Sequence, residues 1–447
     1  MRFAETHLHL YGTIRPAPFL RWVRDREVDW GYYEHTYEQA FGAAPPVREI
    51  VSRHRAGDPA ASSEFADLFV FGDADGGSFE RFQAKFNLLI SGSEIVRLHG
   101  YDDPVPPLLR EMEYFIRAML EDQRRSDIGY AEQRLLIGNL FPRESTLRML
   151  DGMLGLYRRE ASKGLVPRLA IGCDREDPWP LWEIAKELAL GPEGEFVTGV
   201  DFCNVEEGFP PKDKATFFKT VHAFNHQHPE RALAILYHVG ESFGDKSLES
   251  AVRWVQEAAE LGAHRLGHAI ALGIDPECYG KHARSESVAE RLDQIAYDLA
   301  HGEALERRGI RVDRAALDRE RRELEGRRPD ERVEHTYDRD RLAEVRCRQD
   351  YAMQRVRATD AVVEVCPTSN RRIGGITEPR HHPVHRFLEN EVPFVVGTDD
   401  PGIFDTTPAD EIAWIVEHAK LDGEAFRELA RRAWACRSEV ITGRIAG

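Results

Sequence analysis

The chain predicts an α/β fold: a (β/α)8 TIM barrel with an N-terminal helical lid and a charged helical insertion between strands 6 and 7. Three observations carry that prediction. Short apolar, β-rich runs recur eight times, longer stretches of helical periodicity separate them, and polar residues stand where several of the runs stop. Strands alternating with helices mean a parallel sheet, and eight such units are the number that closes a barrel.

In order, the runs are "RFAETHLHL" at 2–10, "IGYAEQRLLI" at 128–137, "VPRLAIGC" at 166–173 and "FVTGVDFC" at 196–203. They continue with "RALAILYHVG" at 231–240, "AHRLGHAI" at 263–270, "AVVEVCP" at 361–367 and "VPFVVGTDD" at 392–400. Between them, "SLESAVRWVQEAAELG" at 247–262 repeats apolar residues at helical spacing, and Gly262 is placed to end that helix. Two segments exceed what a barrel needs within a single domain over residues 1–447. Residues 16–125 carry several helical patterns with Pro/Gly breaks and are expected as a lid after the first strand. Residues 280–358 are dense in Arg and Glu and show no strand signal, so a helical insertion is expected there. Its acidic and basic residues interleave, which favours a solvated face or an oligomer contact over a nucleic-acid arm.

Composition narrows the function classes. The 447 residues are 42% hydrophobic, enough for a large core, and the formal charge of −17 repels a nucleic-acid backbone. Small molecules are the expected ligands. Six scattered cysteines without a Cys-x-x-Cys pair point to free thiols in the cytoplasm. No run is long enough for a membrane span, and the first residues lack a signal-peptide layout.

In a TIM barrel the functional groups project from the C-terminal strand ends. The first run ends in His7 and His9, which as alternate residues of a strand face the same side and can chelate one ion. The fifth ends in His238 and Glu241, the sixth in His268, the eighth in Asp399 and Asp400. Three imidazoles and a carboxylate with an open position suit Zn²⁺. A lone histidine at a strand end is more often a satisfied polar residue than a ligand; His-x-His, His-x-x-Glu, Gly-His and Asp-Asp at separate strand ends of one barrel are a poor fit to chance.

"THLHLYGTI", "YHVGES", "HRLGHAI", "EVCPTSN" and "VVGTDDPG" resemble, in order, the successive signatures of the adenosine deaminase family of metal-dependent amidohydrolases. The resemblance runs along the whole chain but is dense only at these strand ends. It implies one catalytic zinc held by His7, His9, His238 and Asp399, with Glu241, His268 and Asp400 acting on the substrate. The implied reaction is hydrolytic deamination of a 6-aminopurine nucleoside or nucleotide to the 6-oxopurine and ammonia. The chemistry agrees: zinc supplies hydroxide near neutral pH, a protonated Glu241 donates to ring N1, and His268 and Asp399 move the water's proton. Asp400, protonated, hydrogen-bonds to purine N7.

Two departures from the family pattern bear on the substrate. Tyr11 stands where relatives carry a sugar-binding acid, and "FCNVEEG" at 202–208 replaces the usual small-residue turn, with Asn204 near the glycine that meets the purine. Phosphorylated substrates want cations, for which the lid offers Arg15, Arg21, Arg24, Arg81 and Lys85; Arg134 on the second strand is expected in the barrel interior. Cys366 and Asn370 are read as scaffold, and His381, His382 and His385 as surface or capping residues. Two other classes stay open. One is a different metallohydrolase acting on an amine, amide or ester, for which the Glu206–Glu207 pair is a strained bridging candidate. The other is a non-catalytic barrel kept for binding or assembly, with the insertion as its interface.

Overall fold

The computed structural model describes residues 2–97, 103–161 and 164–445. Eight strands form one parallel sheet: β1 (Phe3–His9), β2 (Ile128–Leu135), β3 (Val166–Gly172), β4 (Val197–Phe202), β5 (Ala234–Val239) and β6 (Arg265–His268). Two further strands, β7 (His282–Ser287) and β8 (Arg332–Tyr337), make a separate antiparallel pair, and β9 (Val362–Val365) and β10 (Phe394–Val396) complete the main sheet. Each predicted run contains one of the eight strands. The sheet closes where Leu8 bridges Asp399: the His9 N–H donates to the Asp399 carbonyl at 3.0 Å, and the Asp399 N–H to the His7 carbonyl at 2.9 Å. The result is a (β/α)8 barrel.

The strands are buried along nearly their whole length, as parallel strands covered by helices must be. Charged residues nonetheless sit inside them. Arg134 lies between Glu364 and Asp201, and Arg265 between Glu132 and Glu364, all fully buried or nearly so. Such pairs offset the cost of desolvating each ion only while every partner is present.

Between β1 and β2 the chain forms the helices Pro16–Arg24, Gly31–Phe41, Val47–Arg55, Ala60–Phe69, Phe79–Gly92, Glu94–Arg97 and Val105–Arg125. Residues 98–102 of the expected lid lie outside the described residues. Phe19, Phe65, Phe69 and Phe115 pack with tilted rings, which gives this region an apolar core continuous with that of the barrel. The helix Val105–Arg125 leads into β2 and packs on the helix Arg143–Ala161, as a barrel crossover does.

The stretch expected as a purely helical insertion differs in two respects. It contains the β7–β8 ladder, which polar alternation in "HARSES" and "RVEHTY" concealed because its inward pair is polar: His335 Nε2 lies 2.7 Å from Glu286 Oε1. Its last helix, Arg339–Arg357, sends Leu342, Val345, Ala352, Met353 and Val356 into the main core and so serves the barrel. The part that stands outside the barrel pattern, with the helices Val288–Glu306 and Arg314–Leu324, covers the helix Leu248–Glu260. That cover explains why Ser250, Arg253 and Gln256 are buried: Arg253 Nε donates to Gln294 and Trp254 Nε1 to Glu290. Gly262 follows the helix end at φ +100°, a conformation that favours glycine.

Candidate active site

The C-terminal strand ends converge on one point. The His7 ring centroid lies 5.5 Å from that of His9, 4.8 Å from His238 and 4.9 Å from His268. Asp399 Oδ1 stands 3.1 Å from His9 Nε2 and 3.4 Å from His7 Nε2. Glu241 Oε1 is 3.4 Å from His268 Nε2, and Asp400 lines the same cavity. All seven residues singled out as metal-binding or catalytic therefore meet at the barrel mouth.

Each imidazole is held from behind. The Nδ1–H of His7 donates to Glu364 Oε2 at 2.9 Å, that of His238 to Asp201 Oδ1 at 3.1 Å, and that of His268 to Asn370 Oδ1 at 2.8 Å. With Nδ1 as donor, Nε2 keeps its lone pair and faces the shared point. His7 Nε2 and His238 Nε2 are buried and without a hydrogen-bond partner. Burial first, then the nearby Arg134 charge, hold His7 below the usual histidine range, and burial likewise holds His238 well below it, so both stay neutral. Neutral, buried, unpartnered nitrogens beside an ionised carboxylate are a donor set that fits a borderline divalent cation. His7, His9 and Asp399 form one candidate ligand group and His7, His238 and His268 another, both sharing His7.

The remaining carboxyls differ in charge. Burial raises Glu241, with Asp399 and Glu206 adding to the effect against His268. Burial and then the Asp399 charge raise Asp400 well above the carboxylate range. Asp399 itself stays low because His7, His9 and His268 outweigh its burial. Two carboxyls pushed towards the protonated form thus stand beside one held ionised, the separation of roles that acid–base chemistry needs.

Backbone geometry matches the crowding. His268 and Asp399 adopt φ +61° and +63°, left-handed conformations that non-glycine residues seldom take and that concentrate at functional sites. Gly12 presses against Asp400 so closely that a Cβ there would stand 1.6 Å from Asp400 Oδ1, which excludes any side chain.

Of the residues expected at the substrate, Asn204 and the half-buried Tyr11 both line the cavity. The Tyr11 hydroxyl donates to Glu111 Oε1 at 2.8 Å, so a carboxylate does stand near the position, one side chain further back. The lid cations expected for a phosphate are engaged elsewhere or turned away. Arg15 meets Asp122 and Asp405, Arg24 meets Asp25, Arg81 and Lys85 meet Asp75, and Arg21 is exposed; none lines the cavity. Arg134 is interior, as expected.

Several site residues escaped the sequence reading. Asn370, taken as scaffold, fixes His268, while Cys366 beside it is buried with its thiol pushed up, as packing requires. Glu364 and Asp201 orient two of the imidazoles, and Glu5 accepts the His7 N–H and the Thr398 hydroxyl. Glu206, weighed as a strained metal bridge, instead accepts the backbone N–H groups of Gly240, Glu241 and Ser242 and fixes the loop that carries Glu241. His382 is fully buried rather than on the surface, and it does cap a helix, accepting the Val384 N–H. A charged residue inside an apolar strand run was the available signal for Glu364, Asp201 and Glu5.

Residues 330–438 match the family model for adenosine deaminase. Over that stretch the chain is similar to the adenosine deaminases. It is 47% identical over 51 residues to an aminodeoxyfutalosine deaminase from Acidothermus cellulolyticus, covering 11% of this chain and 14% of that protein. It is 36% identical over 69 residues to an adenosine deaminase-like protein of Drosophila pseudoobscura pseudoobscura, covering 15% and 20%. These matched segments span a fifth or less of the relatives' lengths. Across nearly the whole chain the fold is shared with solved structures. An N6-methyl-AMP deaminase from Arabidopsis thaliana superposes with TM-score 0.53 at 17% identity, covering 99% of this chain and 95% of that one. An amidohydrolase from Burkholderia ambifaria with bound Zn superposes with TM-score 0.52 at 15% identity, covering 98% and 85%.

Proposed function

We propose that this chain hydrolytically deaminates a 6-aminopurine nucleoside or nucleotide to the 6-oxopurine and ammonia, with one zinc ion per chain. The observation that carries the reading is the pairing of Glu241 and Asp400, both driven towards the protonated form, with unpartnered histidine nitrogens on the same cavity. In the proposed assignment His7, His9, His238 and Asp399 hold the ion. A zinc ion so held supplies hydroxide near neutral pH by lowering the pKa of water to about 7.

The chain's own groups do the rest. Glu241 gives its proton to ring N1 as the water oxygen adds to C6, which spares the ring a negative charge. His268, held by Asn370, takes the proton released by that water and stabilises the added oxygen. Asp400 donates to N7, Asn204 bounds the ring system, and Tyr11 stands on the side of the sugar. The tetrahedral carbon then collapses: the C6–N bond breaks as His268 passes its proton to the amine, which leaves as ammonia, and the proton of the added hydroxyl returns to Glu241.

The purine partner, rather than nucleic acid, agrees with a cavity of about 560 Å³, the size of a small-molecule site. We further read residues 1–447 as one deaminase barrel in which residues 16–125 act as the lid and residues 280–358 as an insertion. The six free cysteines favour the cytoplasm, and among the described residues no helix is long and apolar enough to cross a membrane. The engagement of Glu206 by backbone N–H groups weighs against a binuclear hydrolase.

Ammonia release from a panel of 6-aminopurines by zinc-loaded protein tests the proposal, with Glu241→Gln as the control. Loss of about 10²–10⁴ in rate is expected for the variant. Equal release by both proteins, or silence across the panel, would overturn it.

A further inference from the structure

The cavity above the cluster has two unlike halves. Its floor is made of His9, His238, His268, Glu241, Asp399 and Asp400. Its outer half is apolar: Phe82, Phe86, Leu89 and Ile90 come from the helix Phe79–Gly92, and Leu136 and Leu140 follow β2. The same chemistry continues at the mouth. Phe79 is 45% exposed, Leu136 37%, Leu140 45% and Val205 62%, and these four line this one cavity. Single exposed apolar side chains are ordinary, whereas four around one opening mark a binding surface.

Charge points the same way. Arg134 is the only arginine or lysine among the described lining residues of the cavity. Arg134 is already held by Glu364 and Asp201 beneath the floor. A phosphate in the apolar half finds neither a guanidinium nor an ammonium to receive it, and phosphate sites are built from those groups.

We infer that the substrate is a neutral 6-aminopurine whose far substituent is apolar, and that a nucleoside 5′-phosphate is excluded. The inference rests on the deaminase reading, because that reading sets the amine-bearing carbon at the floor and so directs the opposite edge of the purine into the apolar half. Ribose then lies at the level of Tyr11 and Gln83, and the substituent beyond it packs on Phe82, Phe86 and Leu140.

The test uses the full-length zinc-loaded protein with adenosine, AMP and a series of neutral 5′-alkylthio-5′-deoxyadenosines from methyl to hexyl. Ammonia release gives kcat/KM for each compound, and calorimetric titration of Glu241→Gln with the same compounds gives Kd. Expected is a rise of about fourfold in kcat/KM and in affinity per buried methylene until the apolar half is filled, with AMP at least about 100-fold below the longest productive member. Leu140→Lys, at an exposed position, is expected to shrink the ratio of alkylthio compound to AMP by about tenfold. A flat alkyl series, or AMP equal to or better than the neutral compounds, overturns the inference. Silence in the ammonia assay removes the deaminase reading, and the binding series still decides the substrate class: tighter binding with alkyl length upholds it, and tighter binding of AMP ends it.

Discussion

At the residue scale, the site depends on the atoms behind each imidazole as much as on the imidazoles themselves. Asn370→Ala removes the acceptor for His268 Nδ1 and frees the ring to turn or change tautomer. Its kcat should fall about 10–100-fold, as for other losses of an imidazole's partner, with zinc content measured by atomic absorption unchanged. A kcat within twofold of the parent would show that Asn370 does not position His268. Glu111 offers a pH test. Burial lifts its carboxyl to about 7, against the effect of the Glu94 N–H and the Tyr11 hydroxyl. The folded chain therefore keeps a proton that the unfolded chain releases near 4.5, and the stabilisation is complete below that pH and is lost as pH rises through about 7. In urea titrations at pH 5 and pH 8, Glu111→Gln should flatten the decline in stability by about 3 kcal/mol; an unchanged decline would assign it to other groups. The ligands were legible in the sequence because each stands where an apolar run ends. Their supports were not, since Asn370 meets His268 across 102 residues and a lone Glu364 in a strand announces burial without naming its partner.

At the element scale, the strands were readable because burial on both faces demands continuous apolar runs. The β7–β8 pair was not, because its strands are polar and their buried contact joins Glu286 to His335. The same contact locks the insertion to the barrel: Glu286 also accepts from Ser250 Oγ and the Ser247 N–H, and the Tyr337 hydroxyl accepts the Leu248 N–H. Beside it, Arg284 donates to the Phe243 carbonyl and Arg332 to the Asp245 carbonyl, in the loop that follows Glu241. His335→Ala leaves the buried Glu286 Oε1 without its polar partner, a loss that costs about 1–3 kcal/mol. The expected signature is faster amide exchange in the helix Leu248–Glu260 and in that loop, with the strands β1–β4 unaffected. Uniform exchange rates across the chain would detach the insertion from the site.

At the scale of the whole molecule, the candidate ligands come from β1, β5 and the turn after β10, so a bound ion ties together three staves of one barrel. Removing it with a chelator should therefore lower stability as well as activity, by about 2.7 kcal/mol for an ion present at 100 times its Kd. Differential scanning calorimetry with and without chelator reads the loss, and an unchanged Tm would separate the site from the fold. The seam between β1 and the Asp399 turn gives the barrel a chronology as well. Glu5 and its partner Thr398 are 393 residues apart, and the same seam holds His7 and Asp399. At about 5–20 residues per second, a ribosome takes roughly 20–80 s to travel that distance. For all of that time the first two histidines exist as an unpaired strand edge, and neither barrel nor ion site can form until the chain that completes both has emerged.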